Sequence, residues 1–318
     1  MSKPLALYLM FVAASAATWR AEAQPSGPPA AAAAAGYTLN TFASFKPGDV
    51  DVSDTGKSGF AWYLYHFFGS HPQSAAIHPN ADGSLTLDGD VTGPNAEIAT
   101  AAPARNPAKF VGKAFGGGAY IEAAIRFDPV ASRASPKGWP SFWALPLEHG
   151  ITGTDQWTGK PAGYKRFIEV DIFEYDINGP NLGLNYYGAN LHDWYGVYNE
   201  TCPGHAFCDS WRGYSDVKTM VSPDVDFTRY HRYGFLWTPA AGSTPGGAIF
   251  FFDGNQVGKK VAWTSASDAS AAPEGQPWKF GILDNQHLVL ILGTGVGKAM
   301  TVGSVSVWQS SDRQNLSN

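Results

Sequence analysis

Residues 167–176 read FIEVDIFEYD, and the three carboxylates inside this stretch decide how the rest of the chain is understood. Phe167, Ile168, Val170, Ile172, Phe173 and Tyr175 are the aromatic and β-branched residues that strands favour. Glu169, Asp171 and Glu174 interrupt them with like charges that repel one another at this spacing. In regular alternation Glu169 and Asp171 share a face, while Glu174 falls on the other. One inserted residue, a β-bulge, restores the phase and brings all three to the same side. The core then receives Ile168, Val170 and Ile172, and the carboxylates face a cleft. A solvated strand face, its acids balanced by Lys165 and Arg166, is the plainer alternative.

The same period of two runs outward from this strand. In GGAYIEAAIRFD (117–128), Ala119, Ile121, Ala123, Ile125 and Phe127 alternate with Tyr120, Glu122, Ala124, Arg126 and Asp128, which predicts a strand with one buried face. Comparable runs fall at 60–68, 83–89, 230–237, 248–254, 287–293 and 300–308, many of them separated by Gly, Pro and Asp-Gly turns. No segment holds a helical period for three turns. Of 318 residues 44% are apolar and 15% charged, with 36 glycines and 22 prolines, a composition that favours many short strands over helices. The fold expected is an all-β antiparallel sandwich, with the jelly roll as one form of it. A net charge of −5 argues against nucleic acid as a partner, because phosphate binding needs a basic face.

The first 23 residues carry Lys3, an apolar run from Leu5 to Ala17 and an Ala21-Glu22-Ala23 cleavage pattern, the marks of a secretory signal peptide; an uncleaved anchor is the alternative. The mature chain is then expected to be secreted or periplasmic, a monomer without membrane contact. Residues 24–36, QPSGPPAAAAAAG, offer nothing to pack and read as a linker. Residues 37–318 show no composition break, so one domain is expected there. In CPGHAFC (202–208) an exported chain is expected to close a small disulfide between Cys202 and Cys208; together with His205 the cysteines make only an incomplete zinc set.

GWPSFWALP (138–146), followed by IEVDIFE (168–174), resembles glycoside hydrolase family 16, the concanavalin A-like jelly-roll endoglycanases. The bulged branch of that family carries a W-P-x-F-W-x-x-P-like segment before an E-x-D-x-x-E strand. The likeness continues in order over roughly residues 110–310, through FGGGAYIEAAIRFD, HDWYG (192–196), FTRYHRYGFLWTP (227–239) and MTVGSVSVWQ (300–309). It implies that Glu169 is the nucleophile, Glu174 the general acid/base and Asp171 the assisting acid of a retaining double displacement. The implied partner is a polysaccharide, foremost a β-1,3- or mixed β-1,3/1,4-glucan. Galactan cleavage of the agarase or carrageenase type, transglycosylation, and noncatalytic carbohydrate binding on the same fold are the alternatives.

Trp139, Trp143 and Trp194 are candidates to stack on sugar rings, and His192 resembles the family histidine beside the nucleophile. His231, Tyr233 and Trp237 are expected to be structural. The chain departs from the family pattern in two places. Gly303 stands where the family often has an aspartate that helps hold a structural calcium; no cofactor is expected, and that ion stays an open alternative. Ile291 stands near the place of a common asparagine on one cleft wall.

Overall fold

The computed structural model describes residues 25–67, 71–89, 95–104, 110–134, 138–154, 164–175, 184–198, 207–208, 212–214, 217–220, 224–264, 280–295 and 299–318. The expected leader (1–23) and the expected disulfide (Cys202 with the Cys208 side chain) lie outside these residues.

Alternation in sequence becomes two stacked sheets. The first runs Asn255–Trp263, Gly246–Phe252, His231–Thr238, Ala119–Phe127, Met300–Gln309, Leu85–Leu87, Ile77–Pro79, with Thr38–Ala43 also paired to Met300–Gln309. The second runs Phe207–Cys208, Tyr186–Tyr198, Tyr164–Glu174, Gly138–Pro146, Leu288–Gly295, Glu97–Ala99, Trp62–Leu64, Val50–Asp51; Arg212–Tyr214 and Val217–Met220 add to Tyr186–Tyr198. Pairing within the sheets is antiparallel except between Val50–Asp51 and Trp62–Leu64. Ala101–Pro103, Phe110–Ala114 and Leu316–Ser317 form a small third sheet.

Every second residue of the long strands enters the layer between the two large sheets. Ile121, Ala123 and Ile125 come from the first sheet, and Phe142, Ile168, Val170, Leu191, Leu290 and Leu292 from the second; all belong to one buried cluster. Burying this much apolar surface is the main force that holds the sheets together. Trp237 and Tyr233 lie fully inside it, and the Trp237 indole donates to Asp284 at 2.8 Å.

The outer face of the first sheet is drier than alternation alone suggests. Tyr120, Glu122 and Ala124 are buried as well as their neighbours. The cause lies in the Pro/Ala-rich residues: Ala30–Ala34 form a short helix, and Ala32 is buried against Tyr37, Tyr120, Phe251 and Trp308. A tract without large side chains therefore does pack here, because aromatic rings on the sheet supply the surface. Among the described residues no helix is long and apolar enough to cross a membrane.

Candidate active site

The strand Tyr164–Glu174 lies inside the second sheet, between Tyr186–Tyr198 and Gly138–Pro146. Against Tyr186–Tyr198, Glu169 stands opposite His192, Asp171 opposite Asn190 and Glu174 opposite Gly188. Each step is two residues on the partner strand, but the second step takes three residues on the carboxylate strand. Against Gly138–Pro146, Phe173 pairs with Phe142 and Asp171 with Trp143, which leaves Ile172 as the extra residue. This is the β-bulge that parity demands. Ile168, Val170, Ile172 and Phe173 enter the core, and the three carboxylates share the outer face of the sheet.

The environments of the acids differ. Trp194 Nε1 stands 2.5 Å from Glu169 Oε2 and donates to it, a bond that favours a carboxylate at Glu169. His192 Nε2 and Asp171 Oδ2 are 2.7 Å apart. Glu174 is held well above the usual carboxylate range, first by burial and then by the charges of Asp171 and Glu169; His192 and the Trp139 side chain oppose the rise. The Trp139 Nε1 atom is buried and makes no full hydrogen bond. One acid thus keeps its proton beside another that accepts a donated N–H, the separation that acid and nucleophile roles require.

The aromatic candidates take different places. Trp143 lies directly opposite Asp171 on the same face, 8% exposed, in an apolar cluster with Leu145, Leu147, Phe167, Val289 and Ile291. Trp194 is bound to Glu169 and stacks on Phe167, with rings 6.3 Å apart and 20° from parallel. On Phe167 also rests His149, at 3.6 Å and 15°. Phe167 and His149 were not singled out from the sequence. Phe167 carried a signal, since it shares the parity of Glu169; His149 carried none, because it sits in the helical turn Glu148–Thr152.

Arg166 does not balance the acids of this face. It is fully buried and forked onto Asp193, with Nε–Oδ1 and Nη2–Oδ2 both at 3.3 Å. His231 is tied to Asp253 at 2.7 Å on the other sheet. Ile291 faces Trp143 within the apolar cluster, so one wall of the site is aliphatic. Gly303 brings no side-chain oxygen ligand, and a Cβ there would meet the Tyr230 ring at 3.1 Å, so an aromatic ring fills the space where a longer side chain would extend.

No family model and no curated protein matches the sequence. Among solved structures the chain is similar to an endo-1,3-beta-glucanase from Streptomyces sioyaensis, with a TM-score of 0.50 and 16% identity, over 94% of this chain and 100% of that one. The chain has the all-β sandwich fold of that glucanase. It is also similar to LamAcat from Zobellia galactanivorans (TM-score 0.41, 13% identity, 74% and 81% of the two chains) and to a lectin from Bauhinia forficata in complex with GalNAc (0.34, 11%, 76% and 90%). At these identities the likeness shows fold alone, and the chemistry rests on the residues of the site.

Proposed function

We propose that the chain is a secreted retaining endo-β-glycosidase of the family 16 type, cleaving a β-1,3- or mixed β-1,3/1,4-glucan by double displacement. The observation that carries this is the shared face of Glu169, Asp171 and Glu174, and burial with the neighbouring charges raises Glu174 toward the protonated form. Glu174 gives that proton to the departing glycosidic oxygen while Glu169 attacks the anomeric carbon. Trp194 fixes Oε2 of Glu169, so Oε1 is the oxygen that attacks. Glu174, now a base, takes a proton from water as water displaces Glu169 from the glycosyl-enzyme, and the anomeric configuration is retained. Asp171 keeps the field at Glu174 negative, which favours its protonated state before each turnover. His192 holds Asp171 in place.

Purified protein incubated with laminarin, lichenan and agarose, scored for new reducing ends, tests this and ranks the substrates. Glu169→Gln is expected to abolish hydrolysis and leave the melting curve in place. Binding to these glycans without new chain ends in the wild type would assign a noncatalytic carbohydrate-binding role instead.

A further inference from the structure

A second cleft opens on the side of the sandwich away from the three carboxylates. In the strand Ala119–Phe127, Ile121 and Ala123 enter the layer between the sheets, so Tyr120 and Glu122 point outward from the first sheet. A cleft of about 550 Å³ lies over them, lined on the sheet side by Tyr120, Glu122, Tyr230, Arg232 and Asp253. Pro25 and residues 27–31 form its other wall, held there by the burial of Ala32 against Tyr120 and Trp308. The carboxylate row lies on the outer face of the second sheet, so both sheets separate the two places.

Each carboxylate of this cleft has a basic group beside it. Glu122 is 7% exposed; its Oε2 accepts the Tyr120 hydroxyl at 2.9 Å, and its Oε1 stands 3.9 Å from Arg232 Nη1. Asp253 Oδ1 accepts the Arg232 backbone N–H at 2.8 Å, and Oδ2 stands 2.7 Å from His231 Nδ1. The side chains of Arg232 and Asp253 remain 46% and 42% exposed. Paired in this way, the charges exert little net pull on an ion, yet they set donors and acceptors side by side. The Tyr230 ring and three prolines add apolar surface between them. A neutral sugar has the matching chemistry, with hydroxyls that both donate and accept and C–H faces that rest on rings. The volume falls within the ~300–1,000 Å³ of small-ligand sites. We infer that this cleft is a second, noncatalytic glycan site, which holds a neutral stretch of the polysaccharide while the opposite face cuts. This rests on the glycan reading of the chain given above.

Isothermal titration of the Glu169→Gln protein with laminarihexaose, cellohexaose and agarohexaose tests it. One of these sugars is expected to bind at two sites. Arg232→Ala in that background should weaken one site about 10- to 100-fold, the loss of a hydrogen bond to a charged group, and leave the other as it was. A Cβ at Gly27 meets no atom within 4 Å, so Gly27→Trp crowds the cleft without touching the sheet and should remove the same site. With Glu169 restored, both substitutions should leave kcat and KM on the hexasaccharide unchanged and lower retention on insoluble β-1,3-glucan about tenfold, because the second point of attachment is gone. A single site for every sugar, no binding of any of them, or a second site that survives both substitutions overturns the inference. A wild type that releases no new chain ends, yet binds a hexasaccharide at a site lost in Arg232→Ala and Gly27→Trp, keeps this site and loses only the cleaving role.

Discussion

The indole Nε1 of Trp194 stands 2.5 Å from Oε2 of Glu169, although the residue directly opposite Trp194 is Phe167. The contact is diagonal between neighbouring strands, and the stacked Phe167 ring sets the angle of the indole. A hydrogen bond to a charged group contributes about 1.5–3 kcal/mol. Trp194→Phe keeps the ring and removes the N–H. We expect kcat to fall about 10- to 100-fold with KM nearly unchanged, in steady-state assays on the best glucan. A loss confined to KM would make Trp194 a sugar platform instead.

Glu174 should leave its mark on two pH profiles. Unfolded, the carboxyl ionises near 4.5, whereas in the fold it keeps its proton to higher pH. Between those values the native state binds more protons than the unfolded state, so stability falls as pH rises. On the proposed mechanism the rate falls on the alkaline side for the same reason, since the general acid would be lost. Glu174→Gln is expected to lower turnover of polysaccharide about 10²- to 10⁴-fold. It should also abolish the alkaline limb on an aryl glycoside whose leaving group needs no proton, and raise the melting temperature at pH 7. An unchanged alkaline limb would place the acid elsewhere.

Glu97, a buried carboxyl on the same sheet face, predicts a stability effect of the same sign. Its carboxyl is raised from 4.5 to about 8 by burial, which corresponds to an upper bound on the order of 5 kcal/mol of instability above pH 8. The penalty is absent below pH 4.5 and grows until pH 8. Glu97→Gln should therefore melt higher than wild type at pH 8 and converge with it at pH 4. Equal differences at both pH values would show that Glu97 does not carry its proton into the neutral range.

The Arg166–Asp193 pair is the opposite case, a charge pair with both members buried and no part in the chemistry. Asp193→Ala removes the buried carboxylate on which the guanidinium is forked, and the expected cost is about 3–5 kcal/mol. Arg166→Met combined with Asp193→Leu should cost much less, because no charge is left stranded. Urea unfolding of the three proteins, read against one another, separates the two outcomes.

Much of this was legible because it is a matter of parity. The odd interval between Asp171 and Glu174 calls for an extra residue, and Ile172 is that residue. The long strands follow from alternation in the same way. Other features have no local signature. Glu97 sits in an unremarkable AEIA stretch and reaches the row of Glu174 only through two intervening strands. Arg166 looks like a surface counter-ion until Asp193, 27 residues on, takes it inside. The Ala30–Ala34 helix packs because of rings at Tyr120 and Trp308, which the tract itself cannot reveal. Trp194 looks like a sugar platform, and only the diagonal geometry turns its N–H toward Glu169.

Parity also gives the sharpest test of the bulge. Deleting Ile172 leaves Glu-Val-Asp-Phe-Glu, in which plain alternation puts all three carboxylates on one face without any inserted residue. Ile172 is 1% exposed, and its loss should cost about 2–5 kcal/mol of stability. The deletion variant is nevertheless expected to hydrolyse glucan measurably, well above the Glu174→Gln level, because Glu174 keeps its place opposite Gly188 and Ser141. Circular dichroism would establish that it is folded before the assay is read. A folded variant with no activity would mean that the local twist at residue 172 matters beyond its phase, and that the alignment of the acids cannot be reduced to counting residues along one strand.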